Sequence, residues 1–128
     1  MKLNLDCVRD VLLQCEKMGY NEHLRLDDLK TSLPKYSEDE IAYTCLKLSE
    51  ADYLKITTKD LSNQKIILRI NDITFKGHEF LNDIRSDNVW ESIMNVSKKI
   101  GTSSVSGIAK IATGVITQLI VNNLPNLL

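Results

Sequence analysis

Prolines, glycines and aromatic residues are all scarce in this chain. Two Pro, five Gly, one Trp, four Tyr and two Phe are spread over 128 residues. The chain shows no internal repeat and no low-complexity run. There is no G-x-S-x-G, no P-loop and no G-x-G-x-x-G, so three common catalytic and nucleotide-binding devices are missing. His78-Glu79 is half of an H-E-x-x-H zinc motif, but the second ligand position holds Asn82. His78 therefore reads as a helix-surface or boundary residue, and His23 as a loop residue. The expectation is no catalytic residue, no metal, no cofactor and no small-molecule substrate.

Cysteine is also sparse. Cys7, Cys15 and Cys45 are odd in number and none forms a C-x-x-C pair. A disulfide framework is not expected, and the reducing cytoplasm fits. All three read as small core residues. The first residues turn charged at once, with no apolar signal region. The longest apolar stretch, Val105 to Leu124, is broken by Lys110, Thr113, Gly114, Thr117, Gln118 and Asn122. Those residues argue against a membrane-spanning helix.

What is present is a globular balance: 43% hydrophobic and 26% charged residues, with a formal net charge of −1. No global basic field draws the molecule to nucleic acid. The length suits one domain with a real core.

The apolar rhythm divides the chain. Leu5, Val8, Leu12 and Cys15 recur at helical spacing behind the cap residue Asn4, and Gly19 marks the stop. Leu24 and Leu26 fit a short strand, and Asp27 to Leu33 a short helix closed by Pro34. Ser37-Glu38-Asp39-Glu40 is a capping box ahead of Ile41, Cys45 and Leu48, so a helix is expected to about Ala51. The period then changes to two. Leu54, Ile56 and Thr58 alternate, Asp60 to Gln64 reads as a turn, and Ile66, Leu68 and Ile70 alternate again, with Ile67 and Arg69 opposite. Thr74 caps a helix carrying Phe75, His78, Leu81 and Ile84. A second box-like start at Asn88 precedes a helix lined by Val89, Ile93, Val96 and Ile100. Gly101 ends it. A last helix runs to about Asn123 and is stopped by Pro125.

The predicted fold class is mainly α with one small antiparallel β-hairpin: a winged helix-turn-helix over residues 1–86, and a helical extension over 87–128. Two passages carry a family likeness. Ser37 through Leu54 resembles the second helix of the motif running into the first wing strand. Ile73-Thr74-Phe75-Lys76-Gly77 with Leu81 resembles the passage from the second wing strand into the next helix. The whole chain resembles a bacteriophage and prophage family with a domain of unknown function, and is similar to YjcQ-type winged-helix proteins. The resemblance implies a fold and a phage-linked setting. It supplies no activity and no site residues. Such chains usually carry Gly where this one has Asp52, a helix end that calls for positive φ.

In this fold the capped helix meets DNA. Its outward residues are expected to be Asp39, Glu40, Tyr43, Thr44, Lys47 and Glu50. Residues 1–53 carry seven basic against eleven acidic side chains, whereas residues 54–70 carry four (Lys55, Lys59, Lys65, Arg69) against Asp60. The capped helix thus repels phosphate and the hairpin attracts it. Lysine and arginine also simply solvate hairpin edges. Two leading functions remain open, beside a third, a structural phage component assembled through the last helix. One is a protein-binding modulator of a host or phage complex through the capped helix. The other is a dimeric DNA-binding regulator, with Tyr43, Thr44 and Lys47 at bases and the four hairpin cations at phosphates. Val105, Ile108, Ala112, Val115 and Leu119 follow a 3-4 spacing on the last helix. They serve either as core or as a homo-oligomer interface.

Overall fold

The computed structural model describes residues 1–127. The order is α1 (Leu5–Cys15), α2 (Leu26–Ser32), α3 (Glu38–Glu50), β1 (Leu54–Leu61), β2 (Gln64–Ile73), α4 (Phe75–Ile84), α5 (Asp87–Ile100) and α6 (Val105–Leu127). The fold is mainly helical with one antiparallel two-stranded hairpin. Two compact units divide it, Met1–Glu79 and Phe80 onward.

In the first unit, caps fix where helices begin. The Asn4 side chain accepts the Cys7 N–H, starting α1. Ser37 and Glu40 close a reciprocal capping box on α3, with Glu40 N donating to Ser37 Oγ at 3.1 Å and Ser37 N to Glu40 Oε1 at 3.3 Å. Glu40 reaches further: Asn4 Nδ2 donates to its Oε2 at 3.1 Å, tying the two helix starts together. The core lies between α1 and α3, closed by α2 and the hairpin. Val11, Leu12, Leu29, Ile41, Cys45, Leu48 and Ile70 are fully buried there. Each large aliphatic side chain so buried contributes about 1.5–3 kcal/mol. Tyr36 pins the α2–α3 loop to α1 through a 2.6 Å hydrogen bond from its hydroxyl to Asp10 Oδ2. The expected short strand before α2 shrinks to one rung, Leu24 bridging antiparallel to Ile70.

The hairpin is longer than the alternation predicts. Its two-residue turn is Ser62-Asn63, both at positive φ (46° and 69°), which closes tightly twisted strands. The expected face of Ile66, Leu68 and Ile70 does not exist. Thr57 pairs with Arg69 and Thr58 with Ile67, leaving Leu68 as an extra residue in β2. That bulge reverses the alternation below it. Ile70 is buried, whereas Leu68 is 45% and Ile66 37% exposed.

α3 ends at Glu50, and two residues on Asp52 has φ 65°, the left-handed value expected at that position. The junction with α4 is tight. Thr74 Oγ1 donates to the Asp52 carbonyl at 2.6 Å and accepts the Gly77 N–H at 2.9 Å. Phe75, expected on the inner stripe, is 80% exposed because it occupies the first turn beside this cap. Phe80, Leu81 and Ile84 are buried instead.

In the second unit, α5 and α6 pack together as a helical hairpin. Ser86, two residues before the expected Asn88, caps α5. The buried stripe is Trp90, Ile93 and Ser97, while Ile100 is 66% exposed. The helix is rolled to bury Trp90, whose apolar area outweighs that of Val89 and Val96. Gly101 closes it at φ 80°. α6 extends past Asn123 and carries Pro125 within its last turn.

Candidate functional site

Three parts of the first unit converge on an open groove of about 530 Å³. One wall is the start of α2 and the residue before it, Arg25, Leu26 and Asp27. A second is the first two turns of α3, with Glu38, Asp39 and Ala42. The third is β2 from Gln64 to Leu68. Local physics sets each wall. Asp28 Oδ2 accepts the Arg25 N–H at 2.8 Å and fixes the start of α2. The capping box turns the acidic first turn of α3 outward. The bulge in β2 brings Ile66, Ile67 and Leu68 to the third wall. The result is a shallow channel with apolar hairpin side chains and a rim holding Asp27, Glu38 and Asp39 against Arg25 and Lys65.

The residues expected on the outer face of α3 divide into four groups. Asp39 and Glu50 are exposed, and Asp39 lies in the groove. Tyr43 and Lys47 are half-buried and engaged with each other. Lys47 Nζ sits 5.2 Å from the Tyr43 ring centroid and bonds Glu50 Oε2 at 2.9 Å. That bond holds the Lys47 ammonium above its ordinary pKa. Glu40 is committed to the caps, and hydrogen bonds from Asn4 and then Ser37 hold its carboxyl below the ordinary value. Thr44 corrects the prediction: it is 1% exposed and its hydroxyl hydrogen-bonds Cys7. It faces α1, because positions 41, 44, 45 and 48 form one helical stripe. No base or partner can reach it.

Lys55, Lys59, Lys65 and Arg69 are all exposed. Register places Lys55, Thr57 and Lys59 on one side of β1, with Arg69 opposite Thr57, so three cations share a face of the ribbon. Lys65 pairs with Asp60 across the strands.

The cysteines hold no site. All three are buried and free. Burial pushes the Cys15 thiol up to about 12, and raises Cys45 and Cys7 as well. Thiols held neutral in this way are poor nucleophiles and poor ligands. Among the described residues, no group of three or more His, Cys, Asp and Glu is placed to hold a metal ion. His78 is exposed on α4.

Of the five residues expected as either core or interface on the last helix, Val105, Ile108 and Ala112 are buried. Val115 is half-buried and Leu119 is 41% exposed.

With this geometry in place, comparison with other proteins gives a family. Residues 2–104 match the family described as "Hypothetical protein (DUF2513)". The chain belongs to it. A Haemophilus influenzae protein, titled "Uncharacterized protein", is 29% identical over 122 residues, covering 94% of this chain and 99% of the relative. No solved structure matches. The family match spans the groove, the hairpin and α5, and stops at the start of α6.

Arg25, Asp27, Glu38, Ile66 and Leu68 were not expected as site residues. For Ile66 and Leu68 the alternating pattern pointed the other way, because a bulge leaves no mark in hydrophobic periodicity. Asp27 and Glu38 look in sequence like ordinary first-turn acids, and only the fold sets them opposite the hairpin.

Proposed function

We propose that this chain is a non-catalytic binding module of winged-helix type that docks a protein partner in the groove between α3 and the hairpin. The order of helix, single rung, short helix, capped helix and hairpin, with the Leu24 rung on the outer side of β2, supports the winged-helix reading. A phage or prophage setting, in which such a module modulates a host or phage complex, is part of this proposal. So is a reducing cytoplasm, which suits three buried free thiols.

One observation carries the reading. The surface that a winged helix turns toward DNA here bears Asp27, Glu38 and Asp39 beside exposed Ile66 and Leu68. Carboxylates repel phosphates, which supply most DNA-binding affinity. Exposed aliphatic side chains in a concave surface favour a protein ligand. The test is affinity capture from a bacterial lysate after nuclease treatment. A partner retained by the native chain and lost with the Ile66→Ser, Leu68→Ser double variant supports the proposal. Equal capture by both, or none by either, refutes it.

The exposed cationic face of Lys55, Lys59 and Arg69 favours a second reading, a DNA-binding regulator in which the hairpin holds phosphates. A mobility-shift series over salt separates the two. A DNA complex weakens steeply with salt, and Lys59→Gln lowers the slope by about one.

A further inference from the structure

Among the described residues of the second unit, the largest group of exposed apolar side chains lies on the last three turns of α6. Leu119 is 41%, Ile120 55%, Val121 53% and Leu124 45% exposed. The cause is a mismatch of length. α5 has 14 residues and α6 has 23, about 21 Å against about 35 Å at 1.5 Å per residue. The stripe Val105, Ile108, Ala112, Val115 and Leu119 runs straight along α6. Its first three members are buried, the fourth is half-buried, and the fifth is in solvent. Ile116, Ile120 and Leu124, four apart, form a second line beside it. One apolar seam therefore begins as intramolecular core and continues past the end of the helix that covers it.

We infer that the overhanging half of α6 pairs with the same segment of a second copy of this chain. The seam has the spacing of a helix-packing face, so the missing cover is another helix with a matching face. Lys110 is the only charged residue from Val105 to the end of the chain. A charged partner gains nothing from such a surface, whereas a second copy meets it with no repulsion. The polar residues on this half are amides and hydroxyls. Gln118 Nε2 donates to Asn122 Oδ1 at 3.0 Å and Asn123 Nδ2 to the Leu119 carbonyl at 2.7 Å. Amides carry both donor and acceptor, so identical copies can satisfy one another across a two-fold axis. An antiparallel pair of overhangs would let each cover the other's seam.

A bilayer fits the same surface less well, although α6 is long and apolar enough in composition to cross one. One face of its first half is buried, and the remaining 15 residues, Thr113 to Leu127, reach about 23 Å against about 30 Å of hydrocarbon. Six of those 15 are Thr, Gln or Asn. Within α6 itself, no Trp, Tyr, Lys or Arg lies beyond Lys110.

The experiment is sedimentation velocity on the full chain over a wide concentration range, with Ile120→Lys, Leu124→Lys and a control, Ser106→Lys, on an exposed early turn. Far-UV circular dichroism checks that each variant keeps its helices. The native chain and the control should show a concentration-dependent dimer. The two α6 variants should weaken it by on the order of a hundredfold while remaining folded. A native chain that stays monomeric throughout would overturn the inference, as would a dimer insensitive to both substitutions. Flotation with phosphatidylcholine–phosphatidylglycerol vesicles completes the test. Recovery of the native chain with the vesicles assigns the surface to lipid and refutes the pairing. None of these outcomes depends on the groove of the first unit.

Discussion

Adding one methyl group at Gly77 should cost this fold more than almost any other single carbon. α4 begins against the backbone that leaves α3. Thr74 N donates to the Tyr53 carbonyl at 3.1 Å, and Thr74 Oγ1 bridges Asp52 O and Gly77 N. A Cβ on Gly77 would fall inside contact distance of that same Tyr53 oxygen and 2.7 Å from Ile73 Cγ2. Neither neighbour can yield, since Tyr53 and Ile73 are both 4% exposed. Overpacking of this kind costs about 1–3 kcal/mol, and the displaced backbone hydrogen bond adds about 1 kcal/mol. Alanine returns about 1 kcal/mol of helix propensity. The net prediction for Gly77→Ala is a loss of about 2 kcal/mol. Gly114 provides the matched control, because a Cβ there meets nothing within 4 Å. Gly114→Ala should therefore stabilise by about 0.5–1 kcal/mol. Urea unfolding followed by circular dichroism measures both. The reasoning fails if Gly77→Ala is neutral or stabilising, or if the two substitutions shift the midpoint in the same direction.

Three further outcomes are expected. Asp52→Gly should stabilise by about 0.5–1 kcal/mol, because a Cβ is carried at φ 65° where glycine has no penalty; a lower melting temperature would contradict this. Glu40 has a depressed pKa, so its contribution is fully present above the ordinary glutamate value and is lost as pH falls through the lower folded value. Thermal melts between neutral and acid pH should show a shallower acid limb for Glu40→Gln than for the native chain, and superimposable limbs would remove the role of Glu40. The cysteines should resist iodoacetamide in the folded chain, and all three should alkylate in urea. The contribution of Cys15 is fully present below the ordinary thiol value of 9.0 and is lost as pH rises toward about 12, so labelling of native Cys15 at neutral pH would refute its placement.

Sequence alone determined the element order, because its signals act over a few residues. The Ser37–Glu40 box, the Asn4 cap and the change of period at Leu54 are local hydrogen bonds and local alternation, and each stands where it was read. The burial of all three cysteines follows from the same short-range logic, and the left-handed turn at Asp52 is the one the family resemblance implied. Tertiary structure decided what those signals leave open. The Leu68 bulge depends on how two strands register, not on either strand's pattern, and it moved Ile66 and Leu68 out of the core. Thr44 lay between two stripes of α3 until α1 packed there and buried it. Trp90 outweighed the valine stripe of α5 because burial is settled by area across a whole interface. The groove exists only where α2, α3 and β2 meet, and the open end of the α6 seam only because α5 is the shorter helix. Both candidate surfaces are properties of elements brought together, and no window of sequence contains them.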